Sequence, residues 1–487
     1  MKKRITGALI ALLLLPVFGA CVHTPSGSSS KTNSESPSSK LNTTNSMPES
    51  DSTQSMDNSL SSAAQTQSQE SSVTPSTSSS QAGKTSVPAE STSSAVTSSE
   101  KSAAEIIKPV LTDNAKSLGI TQEMLDRAMV SAGNQVRIAN AIRKAKNGSP
   151  VTIGVIGGSI SQGAVASTES KRYVNLIHKW WKDTFPKSQV TLVNASIGST
   201  DSVIAVHRLD QDLLQYKPDF VIVEFAANDS EGDQWTMAYE NLLRRILQSE
   251  NQPGVLMMFM MYNDGKTQQK NEIPLGKHYA IPMVSYNDAI MPEVKNGNIK
   301  WSDLSPDIVH PNDHGMAIAA ELIQAYLSSV NARLANIGYK APALPAYTED
   351  YFSQFRDAKL LHSGNYTPSS LGSFKVDFGV LKPHYPLLED AWTSTGGTSP
   401  IVFDNVEGSQ IYLLYKKSNE IDGGKMKVTI DGSTVKTIDT KYTGGLYAPY
   451  EALVLDSTPK KHRIEIELIS GSSTKVSIFG LMVSSGK

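Results

Sequence analysis

Apolar and polar residues follow three different rhythms along this chain, and each rhythm predicts a different architecture. In the middle, short apolar runs alternate with longer stripes of helical period. Val151-Thr-Ile-Gly-Val-Ile-Gly-Gly-Ser-Ile-Ser-Gln-Gly163 is a run rich in β-branched residues that ends in glycines. It predicts a buried strand and a tight turn that presents Ser159 at the strand's C-terminal edge. In open α/β sheets that edge is where ligands bind. Tyr173, Val174, Leu176, Ile177, Trp180 and Trp181 form a helical stripe that stops at Pro186. Val190 to Val193 reads as a strand, Val203 to Tyr216 as a helix, and Phe220-Val-Ile-Val-Glu-Phe225 as the next strand. Tyr239 to Leu247 is helical and Val255 to Met261 a buried strand. A polar loop over Asn263 to Lys277 precedes a fifth strand at Pro282 to Tyr286, and Asp313 to Val330 closes the region as an amphipathic helix. Parallel neighbours need crossover connections, so this alternation predicts an α/β domain with helices on both faces of a parallel sheet.

Ahead of that region, Ala104 to Asn147 carries apolar residues at mixed three- and four-residue spacing and reads as a lead-in helix. Behind it the rhythm drops to two. Residues 425–438 alternate around Asp431-Gly432, a strong hairpin signal, and Arg463 to Leu468 alternates as well. Val476 to Val483 supplies a last strand. The expectation is a separate antiparallel β domain over residues 346–487, a β-sandwich, behind an α/β domain over 104–345.

The N-terminal fifth has neither rhythm. Residues 1–20 place Lys2, Lys3 and Arg4 before an apolar run from Ala8 to Phe18, the pattern of an export signal too short for a membrane span. Phe18-Gly-Ala-Cys21 resembles a lipobox, which implies a lipid anchor on Cys21 at a membrane surface; the alternative is a freely secreted protein. Residues 21–103 are Ser and Thr with almost no large apolar side chains, as expected of a disordered tether or a sugar-bearing stalk. Cys21 is the chain's one cysteine, which excludes an intramolecular disulfide framework and a thiolate metal cluster. A net charge of -2 gives no reason to expect a nucleic-acid partner.

Chemistry enters with the serine. A nucleophilic hydroxyl needs a base, a group that orients the base, and donors for the oxyanion. His310 and Asp307, in Asp307-Ile-Val-His310-Pro-Asn-Asp-His314, have the spacing at which a turn brings a carboxylate to the imidazole. Asn228, after the third strand, offers a side-chain amide, and Gly198, after the second, a closely approaching backbone amide. The amide of Ser159 is the third donor. Ser161 is a rival nucleophile. His310 and His314 have a zinc-like spacing, but Pro311 places His310 outside the helix, and no metal is expected.

Gly157-Gly-Ser159-Ile-Ser, Asn194-Ala-Ser-Ile-Gly198, Ala227-Asn228-Asp229 and Asp307-Ile-Val-His310 resemble, in order, the four blocks of the SGNH (GDSL-type) hydrolases. The resemblance implies a three-layer α/β/α sandwich with a parallel, flavodoxin-like sheet. It makes Ser159 the nucleophile, His310 and Asp307 its base and orienting acid, and Gly198 and Asn228 oxyanion donors, with no cofactor. Gly158 stands where the name-giving Asp would be. Many members have a second glycine where this chain has Ser199, so the oxyanion residue falls at 198 or one further on. A β domain behind such a hydrolase implies a carbohydrate esterase that removes O-acetyl groups from a polysaccharide. A lipid or lysophospholipid esterase, and a non-catalytic glycan-binding surface protein on the same scaffold, are the alternatives.

Overall fold

The computed structural model describes residues 109–380, 388, 390–394, 396–418, 423–442, 446–469 and 475–486. The expected export signal, Cys21 and the Ser/Thr-rich stretch lie outside the described residues. Two glycines divide the lead-in segment that its spacing presents as one helix. It consists of α1 (Asp113–Ser117), α2 (Gln122–Ala128), a short strand β1 (Met129–Ser131) and α3 (Val136–Lys146). Gly119 and Gly133 have φ of +76° and +53°, a region that favours glycine. At Gly133 a Cβ would also lie 2.3 Å from the nitrogen of Pro282.

The central domain continues with β2 (Val151–Gly157), α4 (Ser159–Gln162), α5 (Tyr173–Thr184), β3 (Val190–Asn194), α6 (Ser202–Asp212) and β4 (Phe220–Glu224). Then come α7 (Asp233–Gln248), β5 (Gly254–Phe259), α8 (Gln269–His278) and β6 (Met283–Ser285). It ends with α9 (Tyr286–Lys295), α10 (Trp301–Leu304) and α11 (Asp313–Ala332). The strands lie in the order β1-β6-β5-β4-β2-β3, with β2 to β6 parallel and β1 antiparallel at one edge. The five parallel strands have the flavodoxin-like order. Alternate strand residues face opposite layers. Ile153, Val155, Ile222 and Met258 share a core with α3, α5 and α11; Ile156, Val221, Val223 and Met257 share one with α6 and α7. Helix α8 occupies most of the expected polar loop. Its buried side chains include Gln269 and Glu272, and Pro274 lies inside it, so no apolar stripe marks it.

The second domain contributes β7 (Lys359–Leu361), β8 (Phe374–Phe378), β9 (Asp390–Ser394), β10 (Ile401–Tyr415) and β11 (Lys417–Ser418). It continues with β12 (Lys425–Ile430), β13 (Ser433–Asp439), β14 (Leu446–Tyr447), β15 (Tyr450–Leu468) and β16 (Ser477–Ser484). One antiparallel sheet runs β13-β12-β15-β10-β16-β9-β8, with β7 also on β16 and a separate β11-β14 ladder. The expected hairpin joins β12 to β13, with Asp431 and Gly432 both at positive φ. Three register shifts between β10 and β15 mark where bulges bend the sheet into a curl. The curl encloses Trp392, Phe403, Ile411, Leu413, Ile464 and Ile478. The other face of the same strands is buried too: Tyr412, Leu414, Phe479 and Met482 join the core of α6 and α7. Those two helices therefore lie between the central sheet and the curled one.

Candidate active site

Ser159 follows two glycines at the C-terminal end of β2 and begins the one-turn α4. Neither glycine has room for a side chain. A Cβ on Gly157 would come 2.6 Å from Ser161 Oγ, and one on Gly158 would come 2.2 Å from Asn228 Oδ1. The missing side chain at 158 is what lets the Asn228 amide lie against the serine's turn.

The loop between α10 and α11 brings the base from the far end of the domain. His310 Nε2 lies 2.8 Å from Ser159 Oγ, and Nδ1 lies 2.8 Å from Asp307 Oδ2. Asp307 Oδ1 accepts the backbone amides of Val309 and His310 at 2.8 and 2.7 Å, so one carboxylate organises the whole turn. Trp301 Nε1 donates to the Asp307 carbonyl at 2.6 Å, and Ser305 Oγ to that of His310 at 2.6 Å. Burial works to raise the Asp307 pKa, but the two amides and the imidazole outweigh it and hold the carboxyl below its ordinary value. With Nδ1–H committed to an ionised Asp307, Nε2 is the acceptor that faces the serine. Asn312 caps α11 by accepting the amides of His314 and Gly315. The His314 ring lies on the Leu118 carbonyl rather than beside His310. Asp313 accepts both Ser167 N–H and Ser167 Oγ–H, which pins the segment behind the serine turn to the same helix.

Ser161 is fully buried under the turn. Its Oγ lies 2.6 Å from Tyr173 Oη and donates to Glu224 Oε2 at 2.8 Å, so it is not available to a substrate. Burial pushes Glu224 up to about 8, which keeps a neutral carboxyl against the serine turn at neutral pH.

The oxyanion side differs from expectation in one residue. The Gly198 backbone does pass beside Ser159, where a Cβ would sit 3.4 Å from Ser159 Cβ. Its N–H, however, donates to Gln162 Oε1 at 2.8 Å and is occupied. The next residue, Ser199, is exposed and held at φ +55°, the conformation that suits the glycine of the related blocks. No acceptor is found for the Ser199 or Ser159 N–H, or for Asn228 Nδ2, among the described residues. The open amide of the second block is thus that of Ser199, one residue beyond Gly198.

Other residues hold these loops without a sequence signal of their own. Asn194 Nδ2 donates to the Ser161 carbonyl at 3.0 Å, tying β3 to the serine turn. Asp229, next to Asn228, accepts the Ser202 amide at 2.8 Å and so joins the second and third blocks. Asp201 caps α6 through the Ile204 amide at 3.0 Å. His207, on the same helix, is buried between Phe355 and Tyr412, and Asp210 is exposed and paired with Arg245. Neither belongs to the site.

Residues 155–318 match the family described as GDSL-like Lipase/Acylhydrolase, a segment that contains every site residue named above. The chain is 27% identical over 180 residues to "Thioesterase 1/protease 1/lysophospholipase L1" of Escherichia coli (strain K12), over 35% of this chain and 80% of that protein. Among solved structures it is similar to a two-domain esterase active on acetylated mannans, at 28% identity and a TM-score of 0.69, covering 74% of this chain and 99% of the other. The same esterase, co-crystallised with mannopentaose, gives 28% and 0.68. The α/β domain alone cannot supply that coverage, so the likeness extends through the β domain.

Proposed function

We propose that this chain, a carboxylic ester hydrolase of the SGNH type, removes O-acetyl or other short acyl groups from a polysaccharide through an acyl-enzyme on Ser159. The observation that carries the substrate is the likeness across both domains to an esterase active on acetylated mannans. The geometry suits the reaction. As Ser159 Oγ attacks the ester carbonyl, its proton passes 2.8 Å to His310 Nε2, and Asp307 faces the imidazolium that forms. The negative oxygen is received by the amide of Ser159, the Asn228 side chain and the Ser199 amide. His310 then returns the proton to the departing sugar hydroxyl, and water repeats the sequence on the acyl-serine. Residues 1–20 and Cys21 support export and a lipid anchor, which fits a substrate too large to enter a cell.

A second reading, a lysophospholipid or thioester hydrolase, is favoured by the name of the Escherichia coli relative and served by the same triad. Acetate release from acetylated glycans, together with an acyl-chain-length series on simple esters, separates the two. Activity that falls steeply beyond acetyl and disappears in Ser159→Ala supports the deacetylase. A preference for long acyl chains replaces it with the lipid reading, and no release from any ester leaves a binding protein on a hydrolase scaffold.

A further inference from the structure

We propose that Tyr450 is a positioning residue through which the β domain holds the oxyanion loop of the α/β domain. The inference rests on the esterase reading above and concerns the chemical step, whatever glycan is bound. The loop that follows β3 runs from Ala195 through Ser199 to Asp201, where α6 begins. Thr200 Oγ1 donates to the Ile197 carbonyl at 2.7 Å and closes the loop on itself. Its far end is fixed by the Asp201 carboxylate. One oxygen accepts the Ile204 amide at 3.0 Å; the other accepts Trp235 Nε1 at 3.0 Å and Tyr450 Oη at 2.8 Å.

Tyr450 begins β15 and lies 249 residues away in sequence. It is mostly buried within the domain interface, with the Tyr412 ring edge-on at 5.7 Å and Gln234 Nε2 at 3.5 Å from its hydroxyl. Burial raises the pKa of both the phenol and the Asp201 carboxyl, so the bond is made away from bulk water. The next residue, Ser202, donates to Asp229 at 2.8 Å, beside Asn228. A hydroxyl of the β domain is therefore two residues from the Ser199 amide and one linkage from Asn228. Such loops need sub-ångström placement, because a donor that misses the developing charge loses most of its effect.

The test uses the full chain and a small acetate ester, which reaches Ser159 without needing a glycan surface. Tyr450→Phe keeps the ring and removes the hydroxyl. The expected result is a kcat lower by about tenfold with KM within about twofold, since Trp235 still holds Asp201. Amide hydrogen exchange across residues 195–201 should quicken in the same variant. Tyr412→Phe, which keeps the ring packing and leaves Asp201 untouched, should change neither. Unaltered kcat and unaltered exchange in Tyr450→Phe would overturn the proposal. So would equal losses in both variants that follow a drop in melting temperature, for then the phenol matters only to packing. A wild-type chain that hydrolyses only long-chain esters defeats the deacetylase reading alone, and the Tyr450 comparison is then made on those esters. A wild type inert toward every ester defeats both.

Discussion

Gly158 shows how strongly a single position can be fixed by its neighbour. The atom that a Cβ would strike, Asn228 Oδ1, belongs to the movable end of a side chain, so the fold can yield there. The expected outcome for Gly158→Ala is a protein with a near-normal melting temperature whose kcat falls about 10²–10³-fold, the range for loss of one oxyanion donor. Steady-state kinetics beside a thermal melt checks it, and the loss should not deepen when Asn228→Ala is added. Residues of this kind were only partly legible in the sequence. Ser159, Asp307, His310 and Asn228 could be read because each is a chemically distinctive type at the end of a strand or before a helix. The open amide at Ser199 was legible only as one of two registers of the second block, because a backbone N–H belongs to every residue except proline. What distinguishes 198 from 199 is the Gln162 side chain, which reaches across from the end of α4.

Among the elements, α6 carries the clearest electrostatic signature. His207 faces the β domain and is held neutral: burial lowers its pKa from 6.5 to about 4, with Arg245 adding to that and the Val203 carbonyl opposing it. Unfolding at a pH between those values takes up a proton, so this residue's contribution is present above about pH 6.5 and is lost as pH falls toward 4. The shift corresponds to about 3 kcal/mol at its limit. Buried carboxyls such as Glu224 and Asp212 shift the other way, so the informative quantity is a difference. The melting temperature of the wild type should fall relative to that of His207→Phe as pH drops from 7 to about 4.5; a difference that stays constant with pH would show that the imidazole does not titrate differently on unfolding. The pattern of α6 was legible as a helix, but not which layer its second face meets. The same limit explains α8: its buried Gln269 is satisfied by tertiary partners, Asp288 and Ser285, which no periodicity records.

At the scale of the whole molecule, the two expected domains are present, and besides an interior of its own each takes part in a third that they share. Phe352, Phe355, Leu360, Tyr412, Leu414, Phe479 and Met482 share one core with α6 and α7. A fully buried side chain of this size contributes about 1.5–3 kcal/mol relative to exposure, so the set together is worth about as much as the stability of an ordinary domain. A cut after Pro345 removes that set and leaves the faces of α6 and α7 that it covers open to water, so the shortened chain is expected to be insoluble or to melt far below the full protein, and the intact chain to unfold in one calorimetric transition. Two well-separated transitions, or a soluble and active α/β fragment, would refute the shared core. The double burial of β10 and β16 was half visible, as runs such as Ser477–Ser484 that are apolar where alternation is expected. What such a run packs against is set by the other half of the chain. Its place in time also matters. Strand β16 comes more than two hundred residues after α6 and α7, yet it pairs with β10, β9 and β7 and touches two cores, one of them the core of those helices. A chain that emerges N-terminus first makes α6 and α7 well before β16, so their outer faces stay open to water until that strand and its partners arrive. Strand β16 thus acts as a latch of folding, and the interval before it arrives is when α6 and α7 are most exposed to proteases and to neighbouring chains.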